Sequence, residues 1–315
     1  MNSEKLNSVY SLRRMKRRYE VWFLRCGLAD GSGAWWFRYL LMNPGRTGMD
    51  NMSAHQQFQV WATWFPREER PQSFIAEFPF ERLEWSSRGE IPFYVRVAEN
   101  GLEENHCWGN LEVNGHTISW NLHLRSKFGA VLSDKGWIGF SRSPHSDAVF
   151  SGEITFDGKK FAGTPLGFGV QGHNCGYRHR SYWRWMHAYF ARPGGGASTM
   201  EALVYDMPLG LTFRNVVLWH EGKQTVLRCV KEQEVLREAE RLKWTLSGVT
   251  EDGSSVEMSA ECCTPRIHQL PYMKTDGSGT FPVANASLAR AAVKLGSGEV
   301  LECDGGAVLE MGGEA

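Results

Sequence analysis

The chain has no surplus of charge: 35 Lys and Arg stand against 35 Asp and Glu over 315 residues. A protein that mainly binds nucleic acid needs basic residues in excess to neutralise phosphates, so that class is set aside. Cysteine is sparse. The seven residues (Cys26, Cys107, Cys175, Cys229, Cys262, Cys263 and Cys303) are odd in number and form no C-x-x-C pair. The expectation is free thiols in a reducing, cytoplasmic compartment. No N-terminal apolar run is long enough for a signal-peptide core or a membrane span. There is also no G-x-S-x-G, no P-loop and no G-x-G-x-x-G ahead of a helix, which leaves hydrolase, kinase and dinucleotide readings without support. Helical periodicity is scarce. The stretch "EQEVLREAERLKW" fits one helix, but the Trp and Thr at its end pull it toward strand.

Turn chemistry and aromatic residues are plentiful. Asn-Gly or Asp-Gly pairs start at Asp30, Asn100, Asn114, Asp157, Asp252, Asp276 and Asp304, each a hairpin signal because both central residues tolerate positive φ. In "LEVNGHTISWNLHL", Ile118, Trp120, Leu122 and Leu124 alternate with polar neighbours, the period of a half-buried strand. "YEVWFLRCGLADGSGAWWFRYLLMN" reads as two aromatic strands around a turn. The fold class is therefore all-β, with sheets curled into barrels or a sandwich. Residues 1–18 form a basic arm carrying Arg13, Arg14, Lys16, Arg17 and Arg18, read as solvated, with a weak contact to an anionic membrane surface as the alternative. The linker-like "ARPGGGAST" sets a boundary near Gly195, giving β domains over 19–194 and 195–315.

One span concentrates polar and aromatic groups. "VQGHNCGYRHRSYWRWMHAYF", from Val170 to Phe190, holds three His, three Arg, two Trp and three Tyr. Alternation from Trp183 puts Trp183, Trp185, His187 and Tyr189 on one face. Gly172 and Gly176 bracket "HNC" and suggest that the chain turns there and brings its backbone close to another group. His173, Asn174 and Arg178 would then stand at the mouth of an aromatic hollow, where His moves protons, Asn holds a carbonyl or hydroxyl and Arg holds an anionic group. The plainer reading is that these groups only tie down a turn. Gln171 and Tyr177 belong to the same candidate set. Glu20, sharing a strand face with Trp22 and Leu24, is a candidate acid. Arg38 is expected opposite Leu24 by hairpin counting, too far to pair with Glu20. Trp61 and Trp64 complete the candidate wall. His173, Cys175 and His179 fall short of the four ligands of a closed zinc site, so no metal is expected.

In this order, "YEVWFLRCGL", "FQVWATWFP", "WGNLEVNGHTISWNLHL" and the "GHN-x-G" stretch with its following Trp resemble the lipocalin-like superfamily of carotenoid 1,2-hydratases (hydroxyneurosporene synthases), tocopherol cyclases and fungal Diels-Alderases. "GGAVLEMGG" is similar to its terminal strand. The resemblance implies two lipocalin-like β-barrels packed together, without metal or organic cofactor. It also implies an aromatic cavity that folds or protonates a long prenyl, polyene or polyketide-type molecule. It marks Glu20 and Trp22 as site residues, with His173, Asn174, Gly176, Trp183 and Trp185. Glu20, His173 and Asn174 are the catalytic candidates. Two positions depart from the pattern: Gly172 stands where the hydratases tend to carry an acid, and Cys175 where Trp is usual. The expected function is cofactor-independent hydration or cyclisation of a hydrophobic small molecule. A non-catalytic carrier and a structural β-protein are the alternatives.

Overall fold

A computed structural model describes residues 3–10, 18–42, 57–87, 89–192 and 196–313. A short helix, α1 (Ser3–Asn7), precedes the first sheet, which begins with β1 (Tyr19–Leu28), β2 (Gly33–Met42), β3 (Gln57–Pro66) and β4 (Gln72–Pro79). It continues through β5 (Leu83–Trp85), β6 (Tyr94–Val97), β7 (Asn100–Glu103), β8 (His106–Val113) and β9 (His116–Arg125). β10 (Ala130–Asp134), β11 (Gly139–Phe156) and β12 (Lys159–Gly176) complete it. The second sheet opens with β13 (Trp183–Ala191), β14 (Ala197–Asp206), β15 (Thr212–His220), β16 (Lys223–Val226) and β17 (Arg228–Arg237). It ends with β18 (Arg241–Val249), β19 (Ser255–Cys263), β20 (His268–Met273), β21 (Thr280–Leu295) and β22 (Val300–Gly312).

The expected all-β architecture is the one observed. The first sheet runs β4-β3-β2-β1-β12-β11-β9-β8-β7-β6-β5 and curls until β4 approaches β8. The second runs β16-β15-β14-β13-β22-β21-β19-β18-β17. Pairing is antiparallel throughout, as short hairpin connections require. Asn114-Gly115 and Asp157-Gly158 turn their hairpins with positive φ at both residues, as their sequence demands. At Asp30, Asp252 and Asp276 only the Gly has positive φ, and two of the seven dipeptides turn no hairpin: Asn100 opens β7 after a turn at Ala98, and Asp304-Gly305 lies inside β22. "EQEVLREAERLKW" is the β17–β18 hairpin, with no helix.

The change of sheet falls at residues 177–182, which corrects the boundary expected near Gly195. Gly195 lies outside the described residues, but β13 and β14 on either side of it pair with each other in the second sheet. The aromatic half of the Val170–Phe190 span therefore opens the second unit. The reading of 1–18 as a solvated arm also changes. Leu6 and Val9 are buried, and Asn7 is buried among polar partners, so residues 3–10 pack against the first barrel. Arg18 is buried as well, its guanidinium against Cys175 Sγ at 3.4 Å. Arg13, Arg14, Lys16 and Arg17 lie outside the described residues.

β1, β2 and β3 are buried along almost their whole length. One face covers the first barrel and the other meets the second sheet, so their sequences read as near-continuous apolar runs. Trp22, Leu24 and Cys26 point into the first barrel, which is filled with apolar side chains. Phe23 points the other way, into an aromatic layer with Trp36, Trp183 and Trp185 between the sheets. Met186, Ala188 and Phe190 face the second barrel's own core.

Candidate functional site

A cavity of about 710 Å³ opens between the two sheets, within the range that holds a drug-sized ligand. Its walls are Phe23, Trp36, Trp183, Trp185, Leu203, Tyr205 and Tyr272. Strand alternation selects which residues reach it. Tyr19, Val21 and Phe23 of β1 line it, whereas Glu20 and Trp22 do not. On β12, alternation divides the "HN" pair: Asn174 lines the cavity and His173 points into the first barrel.

Glu20 and His173 do meet, but elsewhere. His173 Nε2 lies 2.8 Å from Glu20 Oε1, and its Nδ1 lies 2.7 Å from the Leu6 carbonyl. Glu20 Oε1 also accepts the Tyr10 N–H at 2.7 Å. The imidazole stacks on Trp22 at 4.7 Å, and the Trp22 indole donates to the Asn7 carbonyl. Gln171 is held by Asn7. All four groups are buried beneath residues 3–10, with the first sheet's backbone between them and the cavity. The expectation that Glu20, Trp22 and His173 share one hollow with Trp183 and Trp185 is corrected: they occupy two layers, because the strands are buried on both faces.

The other candidates divide the same way. Trp183, Trp185, Arg38, Tyr177 and Arg178 line the cavity, the last two from its exposed edge. Trp64 packs inside the first barrel at 5.0 Å from Trp35. Trp61 lies behind the lining, its indole donating to Gln59. His187 faces the inter-sheet layer, with Nε2 2.7 Å from the Ser146 carbonyl. Its pKa is lowered to about 3 by burial, which keeps the ring neutral.

Arg38 pairs with Phe23 rather than Leu24, because the loop is the four-residue turn Ala29–Ser32. That places it on the cavity face. Its guanidinium lies 3.9 Å from the Tyr272 ring centre and 4.5 Å from Trp61, a cation held by two π faces. Arg38 Nη1 is buried with no protein partner, and so is Asn174 Oδ1. Beside them Glu310 accepts from Tyr272 Oη at 2.7 Å, from Asn285 Nδ2 at 3.1 Å and from Trp183 Nε1 at 3.2 Å. His179 stacks on Tyr19 at 4.2 Å. Burial, and then the nearby Arg38 charge, lower its pKa to about 3, so it offers a neutral imidazole to the cavity. Sequence reasoning missed His179, Tyr272 and Glu310 as site residues. Glu310 did leave a signal: a carboxylate between Leu309 and Met311, interrupting the apolar run that starts at Ala307.

The turn expected at "GHNCG" is absent; β12 runs straight through it, and the glycines serve close approach instead. A Cβ on Gly172 would sit 2.1 Å from Phe23 Cζ, and one on Gly176 would lie 3.0 Å from the Tyr19 ring. The volume an acid at position 172 would need is taken by the Phe23 ring. Gly172→Ala is expected to cost about 1–3 kcal/mol through overpacking. Urea midpoints check this, with Phe23→Leu in the same chain recovering most of the loss.

Among the described residues no group of three or more His, Cys, Asp or Glu is placed to hold a metal ion. No protein-family model and no curated protein matches this chain. Solved structures do. Kievitone hydratase from Nectria haematococca aligns over 97% of this chain and 93% of its own, at 11% identity and a TM-score of 0.56. An AttH candidate from Nitrosomonas europaea aligns over 94% and 92%, at 11% identity and TM-score 0.58. CghA, in complex with Sch210972, aligns over 93% and 88%, at 10% identity and TM-score 0.58. The protein thus has the lipocalin-like double-barrel fold of these proteins across nearly its full length, the fold the sequence resemblance implies.

Proposed function

We propose that the protein is a cofactor-independent enzyme of hydratase or cyclase type, acting on a large hydrophobic small molecule of prenyl, polyene or polyketide type in the inter-barrel cavity. One observation carries the reading: Arg38, a buried cation with an unpartnered N–H, lines a hollow beside the rings of Phe23, Trp36, Trp183, Trp185 and Tyr272. A buried donor left unmade is costly, so the site is built to receive an acceptor. A carbonyl or enol oxygen of the ligand fits Arg38 Nη1, and a hydroxyl or N–H fits Asn174 Oδ1. The rings of Trp36, Trp183 and Trp185 fix the chain's conformation. They also attract any developing cationic charge, by roughly 0.5–2 kcal/mol each. Polarising a carbonyl withdraws electrons from a conjugated double bond, which favours attack by water or ring closure at its far end. The step needs no proton from Glu20 or His173, whose network holds the N-terminal segment in place. The solved hydratase and the small-molecule complex of CghA share the fold and support this reading at the level of class.

A carrier is the second reading. It is favoured by His179, which is held neutral and is no acid at physiological pH. Native mass spectrometry of the purified protein, screened for a bound apolar molecule, tests both. Arg38→Met is expected to remove about 2 kcal/mol of stabilisation from a charge-assisted hydrogen bond. If turnover of the recovered molecule falls while its affinity holds, the protein is an enzyme. If affinity alone falls and no conversion is seen in the wild type, it is a carrier. If no apolar molecule binds either form, both readings fail.

A further inference from the structure

The edge of the cavity carries apolar side chains that nothing in the fold covers. Leu209 is 96% exposed and Leu211 59%, while Tyr177 at 49% and Ile138 at 44% line the cavity from outside. Leu209 follows Pro208, itself a lining residue, in the turn after β14. Its backbone is left-handed, with φ 65° and ψ 26°. This conformation suits Gly or Asn and disfavours a branched side chain. A leucine there gains no packing and accepts strain, so its value lies outside the folded chain.

Charge at the same edge is one-sided. Lys135, Arg178 and Arg180 line it, and none has a carboxylate partner among the described residues. The edge's own carboxylates are engaged elsewhere: Asp134 with Arg142 at 2.6 Å and Asp206 with Arg184 at 3.7 Å. We propose that this rim is a membrane-docking surface, in which Ile138, Tyr177, Leu209 and Leu211 enter the headgroup region of an anionic bilayer while Lys135, Arg178 and Arg180 contact its phosphates. Apolar anchors surrounded by basic side chains are the arrangement an anionic interface attracts. The rim is continuous with the cavity, so a water-insoluble molecule crosses between bilayer and cavity without entering solvent. Docking itself does not depend on the function proposed above, because it needs no ligand in the cavity.

The test is co-sedimentation of the full chain with vesicles of phosphatidylcholine alone or mixed with phosphatidylglycerol. Binding is expected on the mixed vesicles and weakened by salt. Leu209→Asn with Leu211→Ser is expected to lower partitioning by about tenfold or more. The Asn suits the left-handed position, so the fold is kept. Lys135→Ser with Arg178→Ser should remove the preference for anionic lipid. No partitioning of the wild type, or partitioning untouched by the leucine pair, overturns the proposal. Loss of binding only on replacing Arg13 and Arg14 would assign it to the N-terminal arm and overturn the rim. Self-association abolished by the leucine pair, without vesicle binding, would make the rim an interface between copies and overturn it equally.

Discussion

Replacing Arg25 by Met is expected to lower stability by about 4 kcal/mol and to loosen one barrel from the other. Arg25 projects from β1 on the face opposite Leu24 and crosses into the second sheet. Its Nε and Nη2 donate to the Ser287 carbonyl at 3.1 and 2.8 Å, and Nη2 also reaches the Gly305 carbonyl. Nη1 donates to Phe168 O at 3.2 Å and Gly306 O at 3.4 Å. One planar fork thus ties β12 of the first sheet to β21 and β22 of the second, whose Ser287, Gly305 and Gly306 fall where bulges break the ladder. Burial lowers its pKa only to about 10, so it stays charged at neutral pH. Methionine fills the volume and leaves the carbonyls unsatisfied. Lysine keeps a charge but lacks the fork, and should recover only part of the loss. Urea midpoints measure the effect, and trypsin provides a second readout. Separated barrels would release the connecting residues 177–182 from the contacts that fix their backbone, and cleavage after Arg178 or Arg180 should quicken. Unchanged midpoints with unchanged cleavage would mean that the interface rests on its aromatic layer alone.

The positions of Arg25 and Arg38 show what sequence could and could not reveal. Alternation was legible: the faces expected for Ile118–Leu124 and for Trp183 and Trp185 are those observed, and hairpin turns at Asn114 and Asp157 fall where Asn-Gly and Asp-Gly stand. Which layer each face meets was not legible. A strand buried on one side only would have put Glu20 and Trp22 in whatever hollow existed. β1 is buried on both sides, so the two faces of one ten-residue strand serve a packed barrel and an inter-barrel cavity. A one-residue error in the β1–β2 turn was enough to hide the facing of Arg38, since a slip of one reverses every side chain. Tyr272 and Glu310 reach the cavity from strands far along the chain, and their pairing with Trp183 and Arg38 exists only once the second sheet is assembled. The seal that residues 3–10 place on Glu20 and His173 is equally long-range: a basic segment betrays nothing of the carbonyls of Leu6 and Asn7 that receive the His173 and Trp22 N–H groups.

Glu201 is expected to make the protein markedly less stable at pH 8 than at pH 5, and to do so through the wall of the cavity. It lies on β14, buried against the first sheet, and accepts from Ser143 Oγ at 2.6 Å, Trp185 Nε1 at 2.9 Å and Ser146 Oγ at 3.2 Å. These donors stabilise the carboxylate, but burial outweighs them and lifts its pKa from 4.5 to about 7. The folded chain therefore holds this proton more tightly than the unfolded chain does. Stability from the group is full below the unfolded value, declines as pH rises through the interval and levels off above the folded value. A shift of that size corresponds to roughly 3 kcal/mol. Glu201→Gln keeps the shape and the neutrality of the protonated form. It should exceed the wild type by less than about 1 kcal/mol at pH 5 and by an amount approaching that figure at pH 8. Because the donor from Trp185 ends on this carboxylate, the wild-type minus Trp185→Phe fluorescence difference should titrate with a midpoint near 7. The same difference should be flat in Glu201→Gln. Parallel stability profiles for wild type and Gln variant would show the carboxylate to be ionised throughout and its three donors to prevail over burial. The titration would then uncouple from the ring that faces the ligand.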